Sequence, residues 1–213
     1  MKKITLLLLL FMATTIATAQ QFYAEGGKSS TSFDYKNSQG QSLSNLQATT
    51  QSFMGIGFRD QFFKKNLNFS AGLHYAGYGA IGSDDVVGNF MEWEANYAGL
   101  NVGLDYDLLK FKKASVYVKG AVSAALFVQG TQTLNHNVIN LKNNDDFDTT
   151  LVTMQLGAGF SHPISDKLSF YAQYLYGKST DTAKGDAVLK FKSNTISFGL
   201  LIDISNKQVT QNQ

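Results

Sequence analysis

The chain has 213 residues, of which 44% are hydrophobic and only 16% are charged, and it contains no cysteine. The apolar fraction suffices for a folded core, whereas a net charge of +2 leaves no excess of Lys and Arg for the phosphates of a nucleic acid. The lack of cysteine excludes disulfide scaffolds, thiolate metal sites, a cysteine nucleophile and a lipid-modified N-terminal cysteine.

The first nineteen residues have the pattern of a secretory signal peptide. Two lysines form a positive n-region, a leucine-rich run follows, and Ala17-Thr18-Ala19 supplies a small-x-small cleavage site. A retained transmembrane anchor is the alternative, but the uncharged run is short for a membrane span. We expect cleavage before Gln20, which divides the chain into a signal peptide (1–19), a folded domain (20–205) and a polar C-terminal tail (206–213).

After this leader the chain alternates between apolar and polar residues in eight segments. A period of two is typical of β-strands with one apolar face, and the 16 Phe and 10 Tyr favour the same structure. The predicted strands lie within 22–35, 54–59, 67–75, 98–106, 114–128, 152–161, 168–177 and 193–204. The first alternates poorly and is assigned because seven others need a partner to close a ring. No later segment approaches the ~20 apolar residues of a membrane helix.

The connections between these strands are of two kinds that alternate strictly along the chain. The short ones are basic and lie at 60–66, 108–113 and 163–167. The longer ones are rich in Asn, Asp, Gly and Ser and lie at 36–48, 79–89, 131–149 and 178–190. This order is typical of up-and-down transmembrane barrels, which have short periplasmic turns and long external loops.

The composition of the two strand faces indicates the medium around the predicted barrel. One parity is bulky and apolar, as in Ile196, Phe198 and Leu200, whereas the other is mostly Gly, Ser, Thr, Asn and Gln. A narrow eight-stranded interior has no room for a whole face of Phe and Leu. We therefore expect the apolar face to contact lipid and the interior to be small and polar. A serine at Gly199 should cost much less than an arginine at Leu200, provided that the neighbouring side chains leave room for its hydroxyl. Tyrosines that end the lipid-facing rows would form aromatic girdles, with strand propensity as the alternative explanation: Tyr75, Tyr106, Tyr174 and Tyr176.

These observations predict an all-β fold, an eight-stranded antiparallel up-and-down transmembrane β-barrel. Signal peptide, strand count, alternation and loop order together resemble the outer-membrane β-barrel domain family, of the PorT-like type and similar in architecture to OmpA/OmpX-type barrels. The resemblance implies export to the cell outer membrane, residence in its lipid bilayer and insertion by the outer-membrane assembly machinery. The chain departs from the family in its last predicted strand, which ends near Ile204 and is followed by the polar tail rather than ending on an aromatic residue.

Patterns that indicate catalysis or ligand binding are few. Gly27-Lys28-Ser29 lacks the glycine that a phosphate-binding loop requires five residues earlier. The Gly-x-Gly pairs at 55–57 and 157–159 fall on inward strand positions, where small residues relieve crowding. The three histidines have no ligand spacing, so neither a metal site nor a cofactor is predicted.

The sharpest enzymatic hypothesis joins residues of two long loops. Asp84 and Asp85 would meet His136, Asp145 and Asp146 around a water at the barrel mouth, as in outer-membrane aspartyl-type proteases. Solvated loop acids are the simpler interpretation, and nothing pairs the serine and histidine that a lipid hydrolase needs. We therefore expect that the protein is not an enzyme.

Ionisable residues on the inward parity form the remaining candidate site. Glu25, Arg59, Asp105, Lys119 and Asp203 are predicted to pair as a polar network in the lumen, because an unpaired charge away from bulk water is costly. Such a network can act as a gate or proton path, or it can simply fill the interior. Eight strands leave no open aqueous channel, which favours filling.

The sequence thus predicts a non-enzymatic integral outer-membrane protein. It would be structural, or it would bind an extracellular or cell-envelope protein partner through its external loops; nucleic acid is not an expected partner. A narrow small-solute porin is the alternative, followed by an outer-membrane protease or lipid hydrolase.

Overall fold

The computed structural model describes residues 21–36, 39–40, 42, 45–62, 66–84, 89–111, 113–183 and 187–204. The predicted signal peptide and the predicted polar tail lie outside these residues. In the part of the chain that is described, no helix is long and apolar enough to cross a bilayer. The strands there are β1 (Gln21–Lys36), β2 (Gln47–Gln61), β3 (Leu67–Asp84), β4 (Asn89–Phe111), β5 (Ala114–Leu134), β6 (Asn137–Asn140), β7 (Leu151–Pro163), β8 (Leu168–Ser179) and β9 (Val188–Asp203).

Eight of these strands close into an antiparallel ring. Each of the eight pairs with the next of them along the chain, including β4 with β5 and β5 with β7. The ring is sealed where β1 pairs with β9, from Gln21 opposite Asp203 to Lys36 opposite Val188. A closed ring satisfies the backbone N–H and C=O groups that hydrocarbon cannot bind. The predicted eight-stranded up-and-down barrel is confirmed, and its short turns connect β2 to β3, β4 to β5 and β7 to β8.

The remaining strand, β6, is a short addition outside the ring. The chain turns back at Asn135 and His136, where φ is 45° and 73°, and β6 then pairs with the outer end of β5. Sequence patterning predicts a loop over the whole of 131–149. A strand of four residues has too few alternating positions to be recognised from sequence.

The strands also reach further toward the long loops than alternation predicted. β3 continues to Asp84 and pairs there with Asn89, the first residue of β4, so most of the predicted loop 79–89 is strand. Gly79, Gly82 and the acidic residues nearby have low strand propensity. Backbone pairing with the neighbouring strands outweighs this low propensity. The local sequence does not show which strands will pair.

In the half of the barrel nearest the short turns, the outer wall is apolar and the interior is polar. On β9, Ile196, Phe198 and Leu200 are 53, 54 and 41% exposed, whereas Thr195 and Ser197 on the opposite parity are buried. The predicted outward apolar face is therefore confirmed for this part, which we call the lipid-facing half (195–204 on β9, 98–111 on β4). Tyr106 and Tyr174 lie on its exposed outer wall, and the exposed Tyr176 lies just beyond its edge, opposite Asn194.

In the half nearest the long loops, the interior is an aromatic core. We call it the external half (188–194 on β9, 89–97 on β4). Phe191 is fully buried there and contacts four other rings edge to face, with centroids 4.9 to 5.9 Å apart: Phe33, Tyr78, Tyr97 and Phe147. The prediction of a small, polar interior is wrong for this half. Its outer wall carries charged residues such as Lys192 and Glu94 instead of apolar ones, so the strands bury their apolar side as a soluble barrel does.

The third long connection helps to close this core. Leu141 and Phe147 follow β6 and are 1% and 7% exposed among the aromatic rings. The Tyr97 hydroxyl donates a hydrogen bond of 2.7 Å to the Phe147 carbonyl oxygen. The connection therefore returns into the mouth of the barrel instead of extending away from it.

Candidate functional site in the barrel interior

An ion triad centred on Asp105 lies inside the lipid-facing half. Asp105 is 2% exposed on β4, and its carboxylate accepts a hydrogen bond of 2.9 Å from Nε of Arg59 on β2. Nζ of Lys119 on β5, directly opposite Asp105 in the register, lies 3.4 Å from the other carboxylate oxygen. Removing ions from water is costly unless they are paired, so the three groups depend on one another. The structure thus brings together three of the five residues of the predicted network.

Glu25 lies in the same interior but contacts neutral groups. Its Oε2 accepts hydrogen bonds from Nε2 of Gln173 at 2.7 Å and from Oγ of Ser197 at 2.9 Å. Asp203, the fifth predicted residue, is half-buried at the end of β9 opposite Gln21. Gln173 and Ser197 were missed from sequence because an uncharged inward residue gives no signal that it binds a carboxylate.

Three buried tyrosines fill the space around these charges. Tyr23, Tyr117 and Tyr171 are 6, 4 and 5% exposed. The Tyr117 hydroxyl donates to Oε1 of Gln173 at 3.2 Å, and the Arg59 guanidinium lies 5.9 Å from the Tyr117 ring centroid. An arginine at this distance gains cation–π attraction from the ring. No role is predicted for these tyrosines from sequence, because strands favour tyrosine on either face.

Two of these tyrosine rings lie against glycines of the neighbouring strand. A Cβ on Gly159 would overlap the ring of Tyr117, and a Cβ on Gly199 would overlap the ring of Tyr171. The interpretation that inward glycines relieve crowding is confirmed at Gly159. The room that a serine hydroxyl at Gly199 requires is absent, because the Tyr171 ring occupies it.

Little free volume remains in this interior. A cavity of about 20 Å³ lies among Arg59, Asp105 and Lys119, which is enough for one water molecule. A recess of about 240 Å³ opens beyond Arg59 at the short-turn end, with Asp107 and Asn68 on its walls. Solvent therefore reaches Arg59 from the short-turn end, while side chains fill the space on the other side of the triad.

Three residues of the enzymatic hypothesis lie in the connection between β5 and β7. His136 is exposed at the β5–β6 turn, and Asp145 and Asp146 lie in the turns after β6. Asp85 and the side chain of Asp84 are outside the described residues. Within the described ranges, no group of three or more His, Asp or Glu side chains is placed to hold a metal ion.

The other two histidines lie in separate places. His74 is 7% exposed on β3 and stacks on Phe53, with ring centroids 6.5 Å apart. His162 is exposed near the end of β7 and stacks on Phe160 at 6.3 Å. Neither contact indicates a shared ligand.

A closed ring with an apolar outer wall and internally paired charges defines an integral membrane β-barrel. The sequence matches the model of the outer membrane protein beta-barrel domain family over residues 4–202. The chain belongs to this family, and it is a protein of the cell outer membrane that lies in the lipid bilayer.

Several solved structures of small outer-membrane barrels have a similar fold. Neisserial surface protein A is 14% identical, with 85% of this chain and 96% of that protein covered and a TM-score of 0.48. OprG from Pseudomonas aeruginosa is 9% identical, with coverage of 87% and 97% and a TM-score of 0.46. Ail, the attachment invasion locus protein of Yersinia pestis, is 11% identical, with coverage of 86% and 99% and a TM-score of 0.39. A comparison with curated protein sequences finds no significant match.

Proposed function

We propose that this protein is a non-enzymatic outer-membrane barrel that binds an extracellular or cell-envelope protein partner through its external hairpin. The external hairpin is the outer end of β5 together with β6 (130–140). The observation that carries the proposal is the free edge of β6. That strand pairs with β5 on one side, and no strand within the described ranges pairs with its other side.

A free strand edge is a binding surface for another extended chain. Its unpaired N–H and C=O groups can accept a strand from a partner, and neighbouring side chains then provide specificity. Val138 and Ile139 on β6 are 68% and 47% exposed, which gives such a partner an apolar contact at the same place. Partner binding by strand addition is therefore the mode that this hairpin fits.

The hairpin is also held firmly by the barrel. The outer end of β5 pairs with β4 on its other side, with Leu134 opposite Met91. Directly after β6, the Leu141 amide donates to the Gly130 carbonyl at 3.0 Å, and the Leu141 side chain is buried in the aromatic core. A preorganised edge loses little conformational entropy on binding, which favours affinity.

Photo-crosslinking on intact cells tests the proposal. A photoreactive residue replacing Asn137 should give a discrete protein adduct. Ile139→Lys should abolish the adduct because a charge on an edge strand opposes strand addition, whereas Asn144→Lys, outside the hairpin, should preserve it. Absence of an adduct from Asn137, or an adduct that Ile139→Lys leaves unchanged, would contradict the proposal.

The alternative functions have their own measurements. The filled interior around Asp105 favours partner binding over the narrow porin, so the refolded chain should add no stepwise conductance to a planar bilayer. Stepwise conductance would favour the porin. A protease or lipid hydrolase would show an activity that is lost on His136→Ala or Asp85→Asn, and we expect no such activity.

A further inference from the structure

Four lysines lie on the outer wall of the barrel, one level with Ile196 at the edge of the apolar band and three beyond that edge. Lys28 on β1, Lys178 on β8, and Lys190 and Lys192 on β9 all have even numbers on strands whose even-numbered side chains point outward. Lys178 lies directly opposite Lys192 in the β8–β9 register. Both ammonium groups approach one carboxylate oxygen of Asp34, at 3.6 and 3.3 Å. We call these four lysines the basic wall.

The basic wall has more positive charge than its own contacts compensate. Asp34 is its one carboxylate among the described residues of β1, β8 and β9 that face outward, and the hydrogen bond from Lys192 lowers the pKa of Asp34, so Asp34 stays ionised. Lys28 donates to the neutral Ser52 hydroxyl at 3.1 Å. Like charges directly opposite each other destabilise a strand pair, and the single carboxylate of Asp34 cannot neutralise both Lys178 and Lys192. The arrangement suits an external anion.

The residues next to the basic wall show at which level of the bilayer that anion would lie. One step below the Lys178–Lys192 pair, Tyr176 lies opposite Asn194, and Tyr174 then lies opposite Ile196 at the start of the apolar band. The Tyr174 hydroxyl donates to Oδ1 of Asn194 at 2.6 Å. This order from lysine through tyrosine to aliphatic residues follows the order from headgroup to hydrocarbon in a bilayer. Because the long loops are external, the headgroups at this level are those of the outer leaflet.

Among the described residues, the positive charge on the outer wall at this level lies on one side of the barrel. On β4, at the corresponding external level, the outward residues are the exposed Glu92 and Glu94. A girdle that only fixed the depth of the barrel in the membrane would place cations all round. The asymmetry indicates a local ligand instead.

We propose that the basic wall binds the phosphorylated headgroup of an anionic lipid in the outer leaflet. Lys178 and Lys192 hold a phosphate as point charges, with the Tyr174 hydroxyl close to the lower edge of the headgroup. The acyl chains lie along the apolar column that begins at Ile196 and continues through Phe198. This site is separate from the external hairpin and does not depend on the function proposed above.

The full-length mature chain, refolded into phosphatidylcholine nanodiscs that contain a small fraction of bisphosphorylated lipid A, provides the test. Native mass spectrometry then reports the lipid A that the protein retains. Each lysine replaced by glutamine should weaken retention about fivefold, so Lys178→Gln with Lys192→Gln should weaken it well over tenfold. Asp34→Asn should strengthen retention, because a competing carboxylate is removed. Lys113→Gln, at the opposite end of the barrel, is the matched control and should change nothing.

Several outcomes would overturn the proposal. One is equal retention of lipid A by the wild type and the double lysine variant, and another is equal retention of lipid A and its fully dephosphorylated form. A loss on Lys113→Gln as large as that of the double variant would place the lipid at the periplasmic end. If the double variant does not fold, Asp34→Asn decides alone, because weaker retention in that variant contradicts the proposed competition.

Discussion

The lipid-facing half and the external half of this barrel share eight continuous strands but have opposite polarity. On β9, Phe198 points out to lipid and Ser197 points in, whereas a few residues earlier the charged Lys192 points out and Phe191 points in. The strands keep their alternation through both halves. What changes is the medium outside, and each half buries the side chains that its medium would solvate poorly.

The comparison shows that two kinds of core stabilise one ring. In the external half, close packing of aromatic rings around Phe191 supplies the stability, as in a soluble protein. In the lipid-facing half, burial of apolar surface from water contributes little, since the apolar wall faces hydrocarbon. Stability there depends on backbone pairing between strands and on the ion pairs of Asp105 with Arg59 and Lys119.

The largest expected effect is the loss of the central ring of the external half. Phe191→Ala removes a fully buried ring that contacts four others and should lower the free energy of unfolding by about 3–5 kcal/mol. Urea titration in lipid vesicles, followed by the fluorescence of Trp93 in the same core, measures it. Phe160→Ala on the lipid-facing wall is the matched control and should cost clearly less. Equal losses of unfolding free energy in the two variants would contradict the proposed difference between the two halves.

The second prediction concerns the ion triad. Asp105→Asn leaves Arg59 and Lys119 without their carboxylate and should cost about 3 kcal/mol in the same titration. Adding Lys119→Met should recover part of the loss, because it removes one of the two uncompensated charges. The exposed Asp166→Asn should change stability by less than about 0.5 kcal/mol. If Asp105→Asn is as harmless as Asp166→Asn, the triad does not stabilise the interior.

The third prediction tests how tightly the lipid-facing interior is filled. Gly199→Ser places a side chain against the Tyr171 ring and should cost about 1–3 kcal/mol by overpacking. Tyr171→Leu in the same chain should recover part of that cost. Gly120→Ser is the control, since a Cβ there meets no atom within 4 Å. A harmless Gly199→Ser would mean that this interior is loose.

The smallest effect belongs to the outer wall of the external half. The hydrogen bond from Lys192 lowers the pKa of Asp34 below its ordinary value of 3.8, so this contact stabilises the fold above about pH 4. The stabilisation disappears as the pH falls through the lowered pKa. The stability difference between wild type and Asp34→Asn should therefore shrink below about pH 4, and because the group is partly exposed it should stay well under 1 kcal/mol. Ser32→Ala should give a difference that is independent of this pH change.

Sequence alone could predict the lipid-facing half because one rule holds throughout it. Alternation from Ile196 onward assigns each residue to a face, and a charge on the inward parity marks Arg59 and Asp105 as candidates. The same rule fails in the external half, where Phe191 and Lys192 alternate equally well with the polarity reversed. No local pattern shows at which residue the lipid ends, because that level depends on the whole ring.

Within the site, sequence identified the charged residues but not their partners. The inward parity of Glu25 marks it as a member of the lumen network. Its contacts with Gln173 and Ser197, however, join strands at opposite ends of the chain. Such pairs depend on the register of β1, β8 and β9. This register is set by closure of the whole ring and cannot be derived from each strand by itself.

The seam between β1 and β9 has a consequence for the time course of folding. It places Ala24 beside Leu200, so the ring is sealed only when the two most distant strands of the sequence meet. Bringing the ends of so long a segment together costs entropy, and folds dominated by such distant contacts form slowly. Before that step, two strands would present unpaired N–H and C=O groups to hydrocarbon, which the bilayer interior does not tolerate. A half-assembled sheet therefore has no stable position in the membrane, and crossing the bilayer and sealing the seam must occur together.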